Sequence, residues 1–202
     1  MENLSAIWWS ALDAKWQELL LKAVKLKATD STEVILNSLL NLTELNLKGK
    51  RLTDITPLQN LIHLEKLILW KNKITDISPL QNLFNLKELY LGQNQLTDIL
   101  PLQNLTNLTY LALWENNLSD ISPLQKLVRL EYLYLQYNQV TAIKPLQNHV
   151  SLKELYLQKN QLTEILPLQN LTDLIELVCY DNLIPESEIG LLAKALPNCK
   201  FW

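Results

Sequence analysis

The sequence predicts an α/β fold. It is a right-handed solenoid with a parallel sheet as its concave wall, short 3-10 or helical turns on the convex side, and a helical cap at each end. Three observations predict it. Pro57, Pro79, Pro101, Pro123, Pro145 and Pro167 each open a Pro-Leu-Gln string, and each follows the last by 22 residues. Leu42, Leu64, Leu86, Leu108, Leu130, Leu152 and Leu174 keep the same step. Short Leu-x-Leu runs recur inside every interval but the last, where Cys179 ends the run. A fixed period of this size marks stacked units, none of which can bury its apolar face alone.

The units can be counted in slots from those leucines. Slots 1 and 4 are Leu, and slot 6 is Leu six times and Cys179 once. Leu at slots 4 and 6 has the period of two of a strand with one buried face. Slot 9 is Asn at Asn72, Asn94, Asn116, Asn138, Asn160 and Asn182, with Lys50 the exception. An Asn amide both donates and accepts, so a column of them can satisfy backbone groups where the chain turns inward. The pattern LxxLxLxxNxL resembles the leucine-rich repeat, in the short form found in bacterial internalins and in a regulatory subunit of protein phosphatase-1. The resemblance covers roughly residues 42–201. It implies a non-catalytic module that binds a protein.

The Pro-Leu-Gln string reads as the back of the coil. Slot 14 is Ile, slot 16 Pro, slot 17 Leu and slot 20 usually Leu. Pro fixes φ and lacks an N–H, which suits the first position of a short helical turn. Slots 17 and 20 are three apart and can point the same way, into the core. Gln at slot 18 and Asn at slot 19 fall on a solvated convex edge. Slot 13 makes a carboxylate column, Asp54, Asp76, Asp98, Asp120, Glu164 and Glu186, broken at Ala142. Each position follows a Thr or Ser, except Glu186, which favours local turn hydrogen bonds over a cation site.

The ends differ from the middle, as the caps of an open stack must. Residues 1–41 read as a helical N-terminal cap, 42–173 as six repeats, and 174–202 as a last repeat with a helical cap and an edge strand, all one continuous domain. In the first cap, Ser10 to Leu21 shows helical spacing, Val24 to Lys27 reads as an edge strand, and Asp30 with Glu33 reads as a capping box. The segment Ile7-Trp8-Trp9 either covers the first core edge or docks elsewhere. In the last cap, Glu186 to Leu196 reads as a helix. Leu196-x-x-Cys199-x-Phe201 continues the 22-residue frame, which puts Cys199 at slot 4, diagonal to Cys179 at slot 6. That spacing predicts two buried free thiols rather than a disulfide.

Composition excludes several classes. Only three Gly occur, against a Gly-rich phosphate-binding loop. Net charge is -3 without a block of like charge, so no nucleic-acid footprint is expected. No apolar run approaches the ~20 residues of a membrane span. The N-terminus lacks the basic and apolar regions of a signal peptide, so a cytoplasmic location is expected. His63 and His149 make no metal set, no nucleophile–base grouping is visible, and neither an enzyme nor a cofactor is expected.

Function should lie where units differ on a shared face. Slots 3, 5, 7 and 8 point away from the predicted core. All seven Tyr of the chain occupy them: Tyr110 and Tyr132 at slot 3, Tyr90, Tyr134 and Tyr156 at slot 5, Tyr180 at slot 7 and Tyr137 at slot 8. Trp70 and Trp114 join at slot 7, so nine of 15 aromatics sit where uniform scatter would put about two. Aromatics favour strands for packing, and slot 5 can stack as a ladder. Exposed Trp and Tyr also dominate binding hot spots. The candidate protein-binding surface is Ile68, Trp70, Lys71, Tyr90, Gly92, Tyr110, Trp114, Tyr132, Tyr134, Tyr137, Tyr156 and Tyr180. Gly92, between two Trp, is expected to leave a notch for one partner side chain. Alternatives are glycan recognition on the same platform, or a structural module that self-associates. A monomer is expected.

Overall fold

A computed structural model describes residues 4–202. Eight short strands form one parallel sheet in chain order: β1 (Glu44–Asn46), β2 (Lys66–Ile68), β3 (Glu88–Tyr90), β4 (Tyr110–Ala112), β5 (Tyr132–Tyr134), β6 (Glu154–Tyr156), β7 (Glu176–Val178) and β8 (Lys200–Phe201). From β1 to β7 the register equals the repeat, so Leu45, Leu67, Leu89, Leu111, Leu133, Leu155 and Leu177 form one row. Six 3-10 turns, from Thr56–Asn60 to Leu166–Leu168, return the chain from one strand to the next, each with Pro in its first two positions. Ile at slot 14 and Leu at slot 17 are buried in every turn. With the strand leucines they make one continuous core.

The Asn column forms a ladder. In the fourth unit, Asn116 Nδ2 donates to Leu113 O of its own unit at 2.9 Å and to Leu91 O of the unit before at 3.1 Å. Its Oδ1 accepts from Leu96 N at 3.0 Å. Asn72, Asn94, Asn138, Asn160 and Asn182 repeat the pattern. Each amide therefore ties two successive turns together, through buried groups at every position but Asn182, which is half-buried. Lys50 departs from the column in the one unit that follows the helical cap rather than another repeat.

The slot 13 carboxylates work within their own turn, though not with the preceding Thr. Asp54, Asp76, Asp98 and Asp120 each accept the backbone N–H two residues on, at 2.7–2.8 Å. Glu164 makes no such bond. Instead Glu188 reaches back from the last helix to accept from Ile165 N at 2.8 Å.

The caps depart from the sequence reading in four places. The first helix is two: α1 (Leu4–Ala11) and α2 (Ala14–Val24), because Asp13 is extended and its side chain accepts from Trp16 N to start the second. Val24 to Lys27 is not a strand. Lys25 takes a left-handed conformation, and Leu26 N turns back to Leu21 O, so a Schellman cap uses the backbone groups an edge strand would need. In α3 (Thr32–Leu40) the N-cap is Ser31, which accepts from Val34 N, while Asp30 accepts from Lys27 N. Trp8 and Trp9 lie half-buried against the core, so Ile7-Trp8-Trp9 closes its first edge, with Ile7 outward.

The fourth departure is register. Helix α4 (Glu186–Ala195) replaces a 3-10 turn, and β8 pairs Lys200 with Glu176 and Phe201 with Leu177. The last step is thus 24 residues, not 22, because a full α-helix takes more chain than a 3-10 turn. Phe201 fills slot 4 and Trp202 slot 5. Cys199 thus falls beside Ile175 rather than beside Leu177. Both thiols are free, but only Cys179 is buried, and Cys199 is half-buried.

Candidate protein-binding surface on the sheet

The outward face of the sheet is set by strand pleating. Slot 4 is buried on every full strand, while slots 3 and 5 stay partly exposed on most. Ile68, Tyr90, Tyr110, Tyr132, Tyr134 and Tyr156 all take these outward, half-buried positions. Trp70 and Trp114 are half-buried just beyond the strands, and Tyr180 is 47% exposed. Lys71 and Tyr137 sit in the turn that follows, where slot 8 is left-handed in all seven units. Gly49 is the only glycine among those seven, so the others adopt a conformation that disfavours a Cβ.

Two small residues organise the rings. Ala112 stands between Tyr90 and Tyr134 in the slot 5 row and is only 2% exposed. Tyr110 leans across it, its ring centroid 4.6 Å from Tyr90 and 5.3 Å from Tyr134. Tyr132 lies 5.9 Å from Tyr110, and Tyr156 meets Tyr134 edge-on at 5.0 Å. The tyrosines thus form one continuous cluster across four strands. Gly92 plays the equivalent part among the tryptophans. Trp114 lies over it and reaches Trp70, centroid to centroid 5.9 Å. Gly92 is therefore buried and leaves no notch, because the indole has taken the space a side chain would use.

Charges support the rings from the side. Glu88 accepts both the Lys66 ammonium, at 2.7 Å, and the Tyr90 hydroxyl, at 2.8 Å. Tyr134 donates to Glu154 at 2.7 Å and Tyr156 to Glu176 at 3.2 Å. The hydrogen bond from Lys66 holds the Glu88 carboxyl below its usual range, and the same bond raises Lys66. Burial, then the glutamate partners, push the Tyr90 and Tyr134 phenols well up. These hydroxyls are fixed donors, not acids, at neutral pH. Lys48 Nζ lies 3.6 Å from the centre of the Trp70 ring, so that indole is held between a cation and Trp114. This arrangement offers broad apolar contact with oriented polar edges and no proton-transfer pair.

The residues brought together are Trp70, Gly92 and Trp114 in one group, and Tyr90, Tyr110, Tyr132, Tyr134 and Tyr156 in another. Tyr137 and Tyr180 stand apart, with no ring contact to either group. Sequence reasoning passed over Ala112, Lys48 and Trp202. Ala112 was visible as the one small residue in the slot 5 row; Trp202 was hidden by the two-residue slip before β8. His149 is fully buried, with Nε2 3.1 Å from Leu124 O and Nδ1 unpartnered, and burial holds its pKa low. It stands where other units have Leu.

Residues 40–82, 62–104, 84–126 and 106–148 match the family described as Leucine Rich repeats in two copies, and residues 151–171 match Leucine Rich Repeat. The chain belongs to the leucine-rich repeat family. Its solved relatives agree. An internalin of Listeria monocytogenes is 35% identical with a TM-score of 0.72, over 91% of this chain and 61% of that one. Internalin C2 of the same species is 30% identical with a TM-score of 0.73, over 98% and 96%. The ectodomain of a plant membrane receptor kinase from Arabidopsis thaliana, solved in complex with Casparian strip integrity factor 2, is 31% identical with a TM-score of 0.66, over 78% of this chain and 20% of that one. The repeat protein thus spans about three-fifths of the first internalin's length and a fifth of the plant ectodomain's. Among curated protein sequences there is no match. Leucine-rich repeat proteins are in general non-catalytic interaction modules. No described helix is long and apolar enough to cross a membrane.

Proposed function

We propose that the repeat protein binds a protein partner through the concave face of its sheet, centred on Trp70, Tyr90, Tyr110, Trp114, Tyr132, Tyr134 and Tyr156. The observation that carries this is the continuity of the aromatic surface, whose rings touch at 4.6–5.9 Å in two groups yet remain partly open to solvent. Ring-to-ring packing by itself would be served by burying them. Rigid aromatics with polar edges supply contact area at low entropic cost, which is the usual make-up of an interface centre. The hydroxyls of Tyr90, Tyr134 and Tyr156 are already held by Glu88, Glu154 and Glu176 without a partner bound.

The test is affinity capture from source lysate, followed by titration of the captured protein against Trp70→Ala with Tyr134→Ala. Loss of about tenfold or more in affinity, with the circular dichroism of the fold retained, is the expected result. Unchanged affinity would remove the concave face from the account. A glycan-array signal abolished by Trp114→Ala would assign the platform to sugars, and a dimer dissociated by Trp70→Ala would assign it to self-association.

A further inference from the structure

Two stretches, "LKGKRL" and "WKNKIT", lie one repeat apart, and the fold stacks them. Lys48, Lys50 and Arg51 occupy slots 7, 9 and 10 of the first unit; Lys71 and Lys73 occupy slots 8 and 10 of the second. Successive strands stand about 4.8 Å apart, so five cations from two turns share one corner, beside Trp70. The same slots carry Gln93 and Gln95 in the third unit, then Glu115 and Asn117 in the fourth. The charge is confined to the N-terminal end.

Lys48 rests on the Trp70 ring, and none of the five cations enters an ion pair among the described residues. The described ion pairs are Lys66–Glu88, Lys87–Glu65 and Lys153–Glu131. Asp54 and Asp76 accept from Thr56 and Ser78 within their own turns and form no ion pair with these cations. Beside the patch, a cavity of about 350 Å³ lies between α2 and the first two strands. Its charged lining is Lys22, Lys50, Glu44 and Lys66, the last already paired with Glu88. Like charges gathered without counter-charges repel one another in the folded state, and a bound polyanion relieves that repulsion.

We propose that this corner docks an acidic segment of the partner protein, with carboxylates on Lys48, Lys50, Arg51, Lys71 and Lys73 and an acidic side chain entering the cavity beside α2. The proposal rests on the concave-face reading and names the chemistry of one end of it. A polypeptide is favoured over a nucleic acid because the other end of the face carries Glu154, Glu176 and Asp181. A phosphodiester chain running along the sheet would meet them, whereas a protein can change sign along its length.

The experiment measures fluorescence anisotropy of a fluorescein-labelled oligo-glutamate peptide with the whole chain, beside oligo-lysine and oligothymidylate. The oligo-glutamate is expected to bind saturably, to weaken with added salt, and to outcompete oligothymidylate. Lys48→Glu with Lys71→Glu and Lys73→Glu should weaken it about tenfold or more, while convex Lys126→Glu with Lys144→Glu should leave it unchanged. Circular dichroism checks the fold, and Lys71→Gln with Lys73→Gln serves as the milder variant, expected to give a smaller loss in the same direction. No saturable binding of oligo-glutamate, equal binding by the charge variants, or tighter binding of oligothymidylate would overturn the proposal. The two readings fail separately. Partner binding lost in Trp70→Ala with Tyr134→Ala but untouched by the charge variants sinks only this one.

Discussion

Trp114 occupies the space into which Gly92 would otherwise extend a side chain. A Cβ on Gly92 would lie 2.7 Å from Trp114 Cδ2 and closer still to Cε2 and Nε1. The glycine is thus the seat of the indole, and the two residues act as one unit.

That contact predicts the effect of Gly92→Ala. The methyl group must displace Trp114, which breaks its packing on Trp70 as well. A loss of about 1–3 kcal/mol in urea unfolding is expected, with a changed tryptophan emission spectrum in the folded state. Gly190→Ala is the contrast. It lies inside α4 with nothing within 4 Å of the added carbon, so it should gain about 0.5–1 kcal/mol.

The Asn ladder should be unequal along its length. Asn116→Ala strands Leu96 N–H and leaves Leu91 O and Leu113 O without their amide partner, all in the interior. About 3 kcal/mol of destabilisation is expected, since each buried orphan costs about 1–3 kcal/mol. Asn182 makes the same bonds but is less buried, so water can replace the amide. Asn182→Ala should cost clearly less. Equal losses in paired denaturation curves would contradict this account.

Gly49 isolates the backbone cost of the left-handed turn. Its φ is +66°, and the nearest atom to an added Cβ is Lys71 O at 4.0 Å, so there is room but strain. Gly49→Ala should lower stability by about 1 kcal/mol with no change in spectra.

His149 should make the fold acid-sensitive. Burial favours the neutral ring, so its folded pKa lies below the ordinary 6.5. Its contribution is intact above the unfolded pKa and is lost as pH falls from about 6.5 through the folded value. His149→Leu restores the residue used at slot 20 elsewhere and removes the unpartnered Nδ1. It should flatten the stability profile below pH 6.5, read as thermal midpoints from pH 7 to pH 5.

Cys199 tests the slipped register. Burial, then nearby Cys179, push its thiol up to about 11. Alkylation of the folded chain should therefore be slow at pH 8 and accelerate only as pH approaches 11, and oxidant should not yield a Cys179–Cys199 bridge.

The repeat made most of this fold legible. Leu at slots 1, 4 and 6, Asn at slot 9 and Pro at slot 16 recur because every turn meets its neighbours in the same way. Their roles can therefore be read from spacing alone. The caps obey no such rule. Each meets a neighbour on one side only, so the break at Asp13, the left-handed Lys25 and the 24-residue last step follow from local packing. A two-residue slip keeps strand parity, so the sequence pattern could not expose it.

The candidate surface divides the same way. Sequence alone determined which face the tyrosines share, because side-chain direction in a strand alternates with the residue count. Only tertiary structure decided what those residues do to one another. Tyr110 covers Ala112, Trp114 fills the place beside Gly92, and Lys48 lies on Trp70 because rings and long side chains lean across neighbouring strands. Lys48, Lys50, Arg51, Lys71 and Lys73 show the same limit: two unremarkable basic stretches in the chain become one charged corner when the coil sets them side by side. Periodicity fixes direction, while volume and charge in adjacent turns decide contact.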